Sequence, residues 1–414
     1  MRTLFLALLI FLAIAAQGQS QFQVLHDFGS GNDGGGVWDR VVFDNQGNLY
    51  GTTSGGGTYK GGTAFELTPS SSGNWNEVVL YNFNSSPDDG AGPFGGVIFE
   101  PSGNLYGTTQ LGGGPGKFGT VYELTPGPDT WAEHVLYSFR SDSGGAGAPY
   151  AGVIMDKAGN LYGAAYDVFE LSPRLNGWAE NVLHNFTPRN DDGSGAGAGE
   201  IMDKKGNLYG ATAYGGGRGR CQFDGCGTVY ELQPTTVGVW AEGITAWRER
   251  ILHRFGSVPN DGEVPAIGRL AIDRLGNLYG STDGGGTSGY GTVFKLTLVP
   301  STSGGVWGEA ILHDFSQDEN GYEPSGGVIL DAAGNLYGTT INGGSPLCGC
   351  GVVYKLAPQP DGQWQYTVLH TFIGSDGAEP DANLTIGPDG NLYGTTATGG
   401  SGGGGVVFQI QIAP

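Results

Sequence analysis

Gly47-Asn48-Leu49-Tyr50-Gly51 is the first of seven copies of one pentapeptide, and these copies decide the fold. The others begin at residues 103, 159, 206, 276, 334 and 390, so successive copies are 56, 56, 47, 70, 58 and 56 residues apart. Periods of about 40–50 residues mark the four-stranded blades of β-propellers, and the period here is slightly longer. The repeat therefore predicts a ring of similar small sheets.

The repeat unit is clearest between residues 94 and 139, where four short apolar runs alternate with turn residues. We name the runs strands a, b, c and d; in this unit they are residues 95–100, 105–109, 120–124 and 131–139. β-Branched and aromatic residues dominate all four, and none shows the 3.6-residue periodicity of a helix. We therefore predict an all-β fold, a seven-bladed β-propeller with four-stranded blades, formed by one repeat domain over residues 19–414.

The two ends of the repeat array are incomplete in complementary ways. Residues 22–28 match strand d, but no strand a, b or c precedes them, whereas the last unit ends with its strand c. We predict that residues 22–28 pair beside residues 405–412 and complete the seventh blade from both termini. This pairing would leave no open sheet edge in the ring.

The first 18 residues have the pattern of a secretory signal peptide. A short polar start, Met1-Arg2-Thr3, precedes an apolar run of about a dozen residues that ends in small residues. No later segment resembles a membrane span or an anchor. We expect a protein that is secreted, extracellular or periplasmic, and monomeric.

The four cysteines form two close pairs, each in a b-c loop. Cys221 and Cys226 lie in the fourth unit, and Cys348 and Cys350 lie in the sixth. Two local disulfides are the simpler interpretation for an oxidising compartment. A metal site is the alternative, but the pairs are two blades apart and lack the Cys-x2-Cys spacing of zinc sites.

The repeat resembles a known family in three of its motifs. These are Gly-Asn-Leu-Tyr-Gly-Thr-Thr, Gly-Thr-Val-Tyr-Glu-Leu-Thr-Pro and Asp-Gly-x-x-Pro. The order of strands is similar to NHL-type propeller repeats, and the motifs more closely resemble the glycine-rich Gloeo-Verruco (GloVer) repeat of bacterial secreted proteins. The resemblance covers residues 22–412 and implies an extracellular propeller-like protein, and it brings no catalytic residues.

Residues that recur in every blade are assigned to the fold. Five histidines share one position of strand d with two tyrosines, and we interpret them as packed rings: His26, His184, His253, His313 and His370. Six tryptophans are assigned to blade packing at the start of strand d: Trp75, Trp131, Trp178, Trp240, Trp307 and Trp364. Aspartates before the Gly-Asn turn are expected to cap it through their side chains: Asp44, Asp156, Asp203, Asp273 and Asp331.

The d-a loops are acidic, and the formal net charge of the chain is -21. Their acidic residues are Asp33, Asp88, Asp89, Asp142, Asp191, Asp192, Asp261, Asp318, Glu319 and Asp376. One interpretation is that these residues only form Asp-Gly turns. The alternative is that they form a negatively charged face that concentrates calcium or binds a cationic partner. The charge disfavours nucleic acid as a partner, and the sequence indicates no cofactor other than this calcium alternative.

Positions at which the blades differ are the candidate ligand site. At the start of strand a, four blades have glycine, whereas the other three have Arg40, Arg269 and Asn383; one position later, Glu200 replaces valine or leucine. These residues should ring one mouth of the central channel. The guanidinium groups could grip a carboxylate, sulfate or phosphate, and Trp38 could stack on a sugar. The alternative is that both arginines form salt bridges with the acidic loops.

Units three and four also depart from the repeat. Unit three lacks nine residues of its b-c loop, and unit four is enlarged, with an insertion around residues 247–250. The stretch from residue 218 to residue 274 holds seven of the nineteen basic residues, and it is either a contact for an acidic partner or a solvated loop. These residues are Arg218, Arg220, Arg248, Arg250, Arg254, Arg269 and Arg274.

Two classes of function follow from the sequence. The favoured one is a non-catalytic binding or interaction module for a glycan, a peptide or a surface component. The second is an extracellular hydrolase or lyase that acts on an acidic polysaccharide, with Glu200 or Asp39 as acid or base. No nucleophile motif is present, and we expect no enzymatic activity.

Overall fold

The computed structural model describes most of the chain after the predicted signal peptide. It covers residues 21–412 except 30–31, 85, 87, 101, 115, 117, 129, 141–147, 188–190, 218–220, 222–224, 237–244, 266–267, 301–304 and 319. Outside the described residues lie the predicted signal peptide (1–18), Asp142, Arg218, Arg220, Trp240 and Glu319.

Seven antiparallel sheets, each with strands a to d in order, form a seven-bladed β-propeller, which confirms the predicted fold. The a strands are Val42–Phe43, Ile98–Phe99, Ile154–Met155, Ile201–Met202, Ala271–Ile272, Val328–Leu330 and Thr385–Ile386. The b strands are Leu49–Thr53, Leu105–Thr109, Leu161–Ala164, Leu208–Thr212, Leu278–Gly285, Leu336–Thr340 and Leu392–Thr395. The c strands are Thr63–Pro69, Thr120–Pro126, Asp167–Arg174, Thr228–Thr236, Thr292–Val299, Val352–Pro358 and Val406–Gln411. The d strands are Trp75–Asn82, Trp131–Ser138, Gly177–Asn185, Thr245–Arg254, Val306–Asp314, Trp364–Thr371 and, for blade 7, Gln21–Asp27.

Short additional strands connect the d-a loops to the b-c loops. Gly90–Ala91 pairs with Leu111–Gly112, and Gly193–Ser194 pairs with Tyr214–Gly215. In blade 5, Gly262–Pro265 pairs with the extended strand b and adds a fifth strand to that sheet. The two loop types therefore lie on one face of the ring, which we call the loop face. The a-b and c-d turns form the opposite turn face.

The first half of the pentapeptide forms the a-b turn. In blade 1, Gly47 has a φ of 88°, a left-handed conformation that glycine adopts without steric cost. One oxygen of Asp44 accepts the backbone N–H groups of Gln46 and Asn48, each at 2.8 Å, and the other accepts the Asn48 side-chain amide. The predicted capping by this aspartate is confirmed, and the same bonds recur around Asp156, Asp203, Asp273 and Asp331.

The second half of the pentapeptide forms the core of the blade. Leu49 is fully buried, and the Tyr50 hydroxyl donates to Glu66 of strand c at 2.7 Å. A Cβ atom at Gly51 would lie 2.6 Å from the ring of Phe65, so only glycine lets this ring lie flat on strand b. The equivalent glycine faces a phenylalanine or tyrosine of strand c in all seven blades.

Neighbouring blades are joined by one repeated aromatic contact. The phenylalanine that follows strand d packs on the strand c aromatic ring of the next blade, with centroids 5.0–5.5 Å apart. The seven pairs are Phe28–Phe65, Phe83–Tyr122, Phe139–Phe169, Phe186–Tyr230, Phe255–Phe294, Phe315–Tyr354 and Phe372–Phe408. Tilted and edge-to-face geometries of this kind are favourable for aromatic pairs.

The N-terminal strand closes the ring as predicted. Gln21–Asp27 pairs antiparallel with Val406–Gln411, in a register that runs from Gln21 opposite Gln411 to Asp27 opposite Val406. Phe28, directly after this strand, is fully buried. The first and last blades therefore meet through the same contact as every other pair.

The assignment of the tryptophan in blade 4 was wrong. Trp247 lies opposite Pro234, which is the register of Trp75 opposite Pro69 in blade 1. The segment predicted as an insertion is therefore part of strand d, Thr245–Arg254. The extra residues precede this strand, so Trp247 takes the packing position that the sequence assigned to Trp240.

Both predicted disulfides are confirmed, Cys221–Cys226 and Cys348–Cys350, so the sulfur atoms are not available as metal ligands in this state. The described part of the chain contains no helix with the length and apolar character that a membrane span needs. Two disulfides fit an extracellular protein.

Ring closure predicts that Phe28 and Phe372 have the same energetic role. Each Phe→Ala substitution removes a fully buried ring from an interblade contact, and we expect each to lower the free energy of unfolding by about 3–5 kcal/mol. Urea unfolding measures both, with Ile373→Ala, at a side chain 58% exposed, as the surface control. A large effect of Phe372→Ala beside a negligible effect of Phe28→Ala would contradict closure by the N-terminal strand.

Candidate functional site

The segments that precede strand a meet at the centre of the ring. The Arg269 guanidinium, from blade 5, donates to the carbonyl oxygen of Gly152 in blade 3 at 2.9 Å and to that of Glu200 in blade 4 at 3.0 Å. One arginine side chain therefore crosses the channel and joins three blades.

Asn383 adds a fourth blade to this connection. Its side-chain oxygen accepts the backbone N–H of Arg269 at 2.7 Å, and its amide nitrogen donates to the Arg269 carbonyl at 3.3 Å. Both side chains are almost fully buried. Burial, together with the nearby positive charge of Arg40, lowers the pKa of Arg269 to about 10. The four hydrogen bonds give Arg269 and Asn383 a clear structural role.

The predicted salt bridges to the acidic loops are not observed for these arginines. Within the described ranges, neither Arg40 nor Arg269 forms an ion pair closer than 4.0 Å. The Arg269 guanidinium donates its hydrogen bonds to the backbone carbonyl oxygens of Gly152 and Glu200 and not to a carboxylate.

Glu200 lies beneath this crossing and has no exposed surface. One carboxylate oxygen accepts the Tyr230 hydroxyl at 2.5 Å, whereas the other is buried without a hydrogen-bond partner among the described residues. Burial raises the pKa of Glu200 to about 8, against the opposing effects of Tyr230 and Arg269. In this conformation the carboxyl group cannot contact a polysaccharide.

Trp38, Asp39, Arg269 and Asn383 surround one small cavity at the channel mouth on the loop face. Its volume is about 30 Å³, which is room for one or two water-sized groups but not for a sugar ring. Both Asp39 oxygens already accept backbone N–H groups, from Arg40 at 2.7 Å and from Gly96 at 2.6 Å. The volume of the cavity thus has room for one hydroxyl group of a ligand that lies across the mouth.

Arg40 lines a different opening from the other predicted site residues, although its charge is close enough to lower the pKa of Arg269. It lines a wider depression of about 490 Å³ together with Val42, Ile329, Ile386 and other residues of the strand a segments and the turn that follows one of them. This depression opens towards the turn face. The structure thus brings four of the predicted residues together, buries Glu200 beneath them and places the Arg40 side chain in the second depression. Ligand contact at any of them stays a prediction.

An aromatic arc at the mouth was missed by the sequence analysis. Trp38, Phe94 and Tyr150 occupy the same repeat position in three consecutive blades, three residues before the buried valine that directly precedes strand a. The ring centroids are 5.9 Å apart for Trp38–Phe94 and 6.2 Å for Phe94–Tyr150, and Tyr150 is 48% exposed. The sequence does contain a signal for this arc, because the three aromatic residues lie two positions before Arg40 and its equivalents in the next two blades.

Across the mouth, the same position is polar. Blades 6 and 7 have Ser325 and Asp381 there, and Asp283 lies beside them. Burial raises the pKa of Asp283 to about 7, with a further contribution from the charge of Asp381, and burial raises that of Asp381 to about 6. One oxygen of each aspartate is buried without a hydrogen-bond partner among the described residues. We call these three residues the polar arc.

Three of the five strand d histidines have a hydrogen-bond partner as well as packing contacts. His184, His253 and His370 each lie 3.0–3.2 Å from an aspartate of the following d-a loop, and each ring packs on a nearby phenylalanine. In two of the seams between blades, a glutamate from the next strand d approaches the same histidine. The three members of each group, a histidine, an aspartate and a glutamate, come from separate parts of the repeat, so no single repeat unit shows the group.

Glu200 predicts a pH dependence of stability. Because its folded-state pKa of about 8 is above the usual glutamate value of 4.5, the folded state binds more protons than the unfolded chain in this window. The free energy of unfolding of the wild type should fall as pH rises from 4.5 to 8, by at most about 5 kcal/mol from this group.

Glu200→Gln removes the titrating group and keeps its size. We expect the variant to be more stable than the wild type at about pH 8.5 and to lose this advantage at about pH 4.5, as measured by urea unfolding. Glu200→Val, which introduces the residue of blades 1, 2, 3 and 6, should show the same pH-dependent difference. An advantage of Glu200→Gln that is equal at both pH values would contradict the raised pKa.

Comparison with solved structures finds other proteins with a similar fold. An ancestral GH74 enzyme has 13% sequence identity and a TM-score of 0.52, over 96% of this chain and 52% of that chain. A putative oxidoreductase (glucose dehydrogenase) from Thermus thermophilus has 15% identity and a TM-score of 0.44, over 95% of this chain and all of the other. Identities this low show at most a shared fold. No curated protein matches the chain in sequence.

The sequence profile of the Gloeobacter/Verrucomicrobia repeat matches residues 11–168 and 221–414, which is most of the chain. The resemblance of the repeat motifs is therefore confirmed. The chain belongs to the Gloeobacter/Verrucomicrobia repeat family.

Proposed function

We propose that the protein is an extracellular binding module that holds a neutral glycan at the centre of its loop face and does not cleave it. The carrying observation is the amphipathic channel mouth, where the aromatic arc faces the polar arc. Aromatic faces stack on the apolar faces of sugar rings, and carboxylates and hydroxyls accept or donate hydrogen bonds to sugar hydroxyls.

Charge favours a neutral ligand over an acidic polysaccharide. The formal net charge is -21, and aspartates contribute to both sides of the mouth. Among the described residues, Arg269 is the one cation that lines the mouth cavity, and two of its N–H groups already donate to carbonyl oxygens while its Nε is buried. An anionic sugar would therefore meet repulsion from the net negative charge of the protein.

No observation favours the alternative of a hydrolase or lyase. Glu200 has no exposed surface, and the Asp39 carboxylate is held by two backbone N–H groups. An acid or base must reach the proton that it transfers. The disulfides support an extracellular location, and the monomeric state stays a prediction.

Binding of glucan, chitin-type and uronate oligosaccharides can be measured by calorimetry on the mature protein. We expect binding of one neutral class, weakened about threefold to tenfold by Trp38→Ala or Tyr150→Ala, as loss of one stacked ring predicts. Tyr166→Ala is the matched control, because Tyr166 is 64% exposed on a b-c loop but is not part of the arc.

The outcomes separate the possible functions. Binding that is unaffected by both arc variants, or binding of uronates alone, would overturn the proposed site. New reducing ends on incubation with a glycan would indicate a hydrolase or lyase. No binding to any of these oligosaccharides would shift the proposal to a protein or peptide ligand.

A further inference from the structure

Two seams between neighbouring blades collect three metal-ligating side chains each. The first ligand is the strand d histidine, the second is an aspartate of the following d-a loop, and the third is a glutamate of the next strand d. The groups are His184, Asp192 and Glu249 between blades 3 and 4, and His253, Asp261 and Glu309 between blades 4 and 5.

The spacing of the ligand atoms fits a small tetrahedral ion. In the second group, His253 Nε2 lies 3.2 Å from an Asp261 oxygen and 3.7 Å from a Glu309 oxygen; in the first, the corresponding distances are 3.1 and 3.7 Å. Zinc bonds of about 2.0–2.2 Å at a tetrahedral angle place neighbouring ligand atoms about 3.4 Å apart. The observed distances lie on both sides of this value.

An unsatisfied atom points into each group. Oε1 of Glu249 and Oε1 of Glu309 are the atoms that face the histidines, and no N–H or hydroxyl donor of the described residues reaches either buried atom. A hydrogen bond to Asp192 or Asp261 of the same group forms only when one carboxyl group of the pair is protonated. The Glu309 side chain is 11% exposed and that of Asp261 is fully buried. A buried carboxylate oxygen with no donor is costly, and a bound cation would satisfy it.

The aspartates are also held in place by their own loops. Asp261 accepts the backbone N–H of Ser257 at 3.0 Å, and Asp192 accepts that of Thr187 at 2.9 Å. Outer contacts of this kind orient metal ligands before the ion binds. The histidines are partly exposed, at 21% for His184 and 13% for His253, so an ion can enter from solvent.

We propose that each of these two seams binds one divalent first-row transition ion of the Zn²⁺ class, which joins strand d of one blade to strand d of the next. One imidazole and two carboxylates suit zinc, whereas calcium prefers ligand sets made of oxygen alone. With three protein ligands, a fourth position stays open for water.

Seams in which one of the three ligands is replaced supply internal controls. The seam between blades 5 and 6 has His313, but Tyr366 stands in place of the glutamate and stacks on the histidine with centroids 4.2 Å apart. Blades 1 and 2 carry Tyr81 and Tyr137 at the histidine position. A His→Tyr change in strand d therefore introduces a residue that the same position already accepts.

The test is the zinc stoichiometry of the mature, disulfide-bonded protein, measured by equilibrium dialysis and elemental analysis. We expect two Zn²⁺ per chain in the wild type, one in His253→Tyr, one in His184→Tyr and none in the double variant. His313→Tyr is the matched control and should retain two. Glu249→Gln and Glu309→Gln barely change side-chain size, and each should bind one Zn²⁺ fewer than the wild type. They replace the histidine variants in the test if a histidine variant fails to fold.

Two further measurements make the result specific. Zinc should raise the melting temperature of the wild type relative to protein in EDTA, and the double variant should lose this increase while keeping the melting temperature of the wild type in EDTA. Co²⁺ should give the visible absorption of a low-coordinate site with N and O ligands. Wild-type protein without bound zinc, or a double variant that still holds two ions, would overturn the proposal.

Discussion

The fold depends on a single contact that is repeated seven times: the phenylalanine after strand d packs on the strand c aromatic ring of the next blade. This contact requires glycine at the end of the pentapeptide, because a Cβ atom there would occupy the space of the strand c ring. Local sequence and interblade packing are therefore linked at one residue. Since Phe28 makes the contact from the N-terminal strand, the ring has seven equivalent joints and no free end.

Convergence of the seven blades then determines what the centre of the ring can hold. A Cβ atom at Gly199 would lie within 2.6–2.7 Å of the Arg269 guanidinium, and one at Gly327 would lie 2.9 Å from the Asn383 amide. The large polar residues fit because neighbouring blades have glycine at the same position. The Arg269 and Asn383 side chains thus occupy the space that the glycines leave open at the axis. Their polar atoms form hydrogen bonds within the protein, and these bonds compete with ligand binding.

The sequence was sufficient for the fold but only partly for the site. Period, turn chemistry and the two half-blades predict a closed propeller because each is a local or repeated property. The depth of a side chain along the axis is not local: Arg40 and Arg269 share a repeat position, yet Arg40 is partly exposed in the second depression and Arg269 is buried. Trp247 was misassigned for a related reason, since the length of an insertion does not show on which side of a tryptophan it lies.

The rule that repeated residues belong to the scaffold also needs a restriction. It holds for a residue considered alone, such as the glycine beneath each strand c ring. A seam combines one residue from a strand, one from the loop after it and one from the next blade, and each varies independently around the ring. His253, Asp261 and Glu309 coincide in one seam, whereas Tyr366 interrupts the next. Residues at repeated positions can therefore form a metal site in a seam where the histidine, the aspartate and the glutamate are all present.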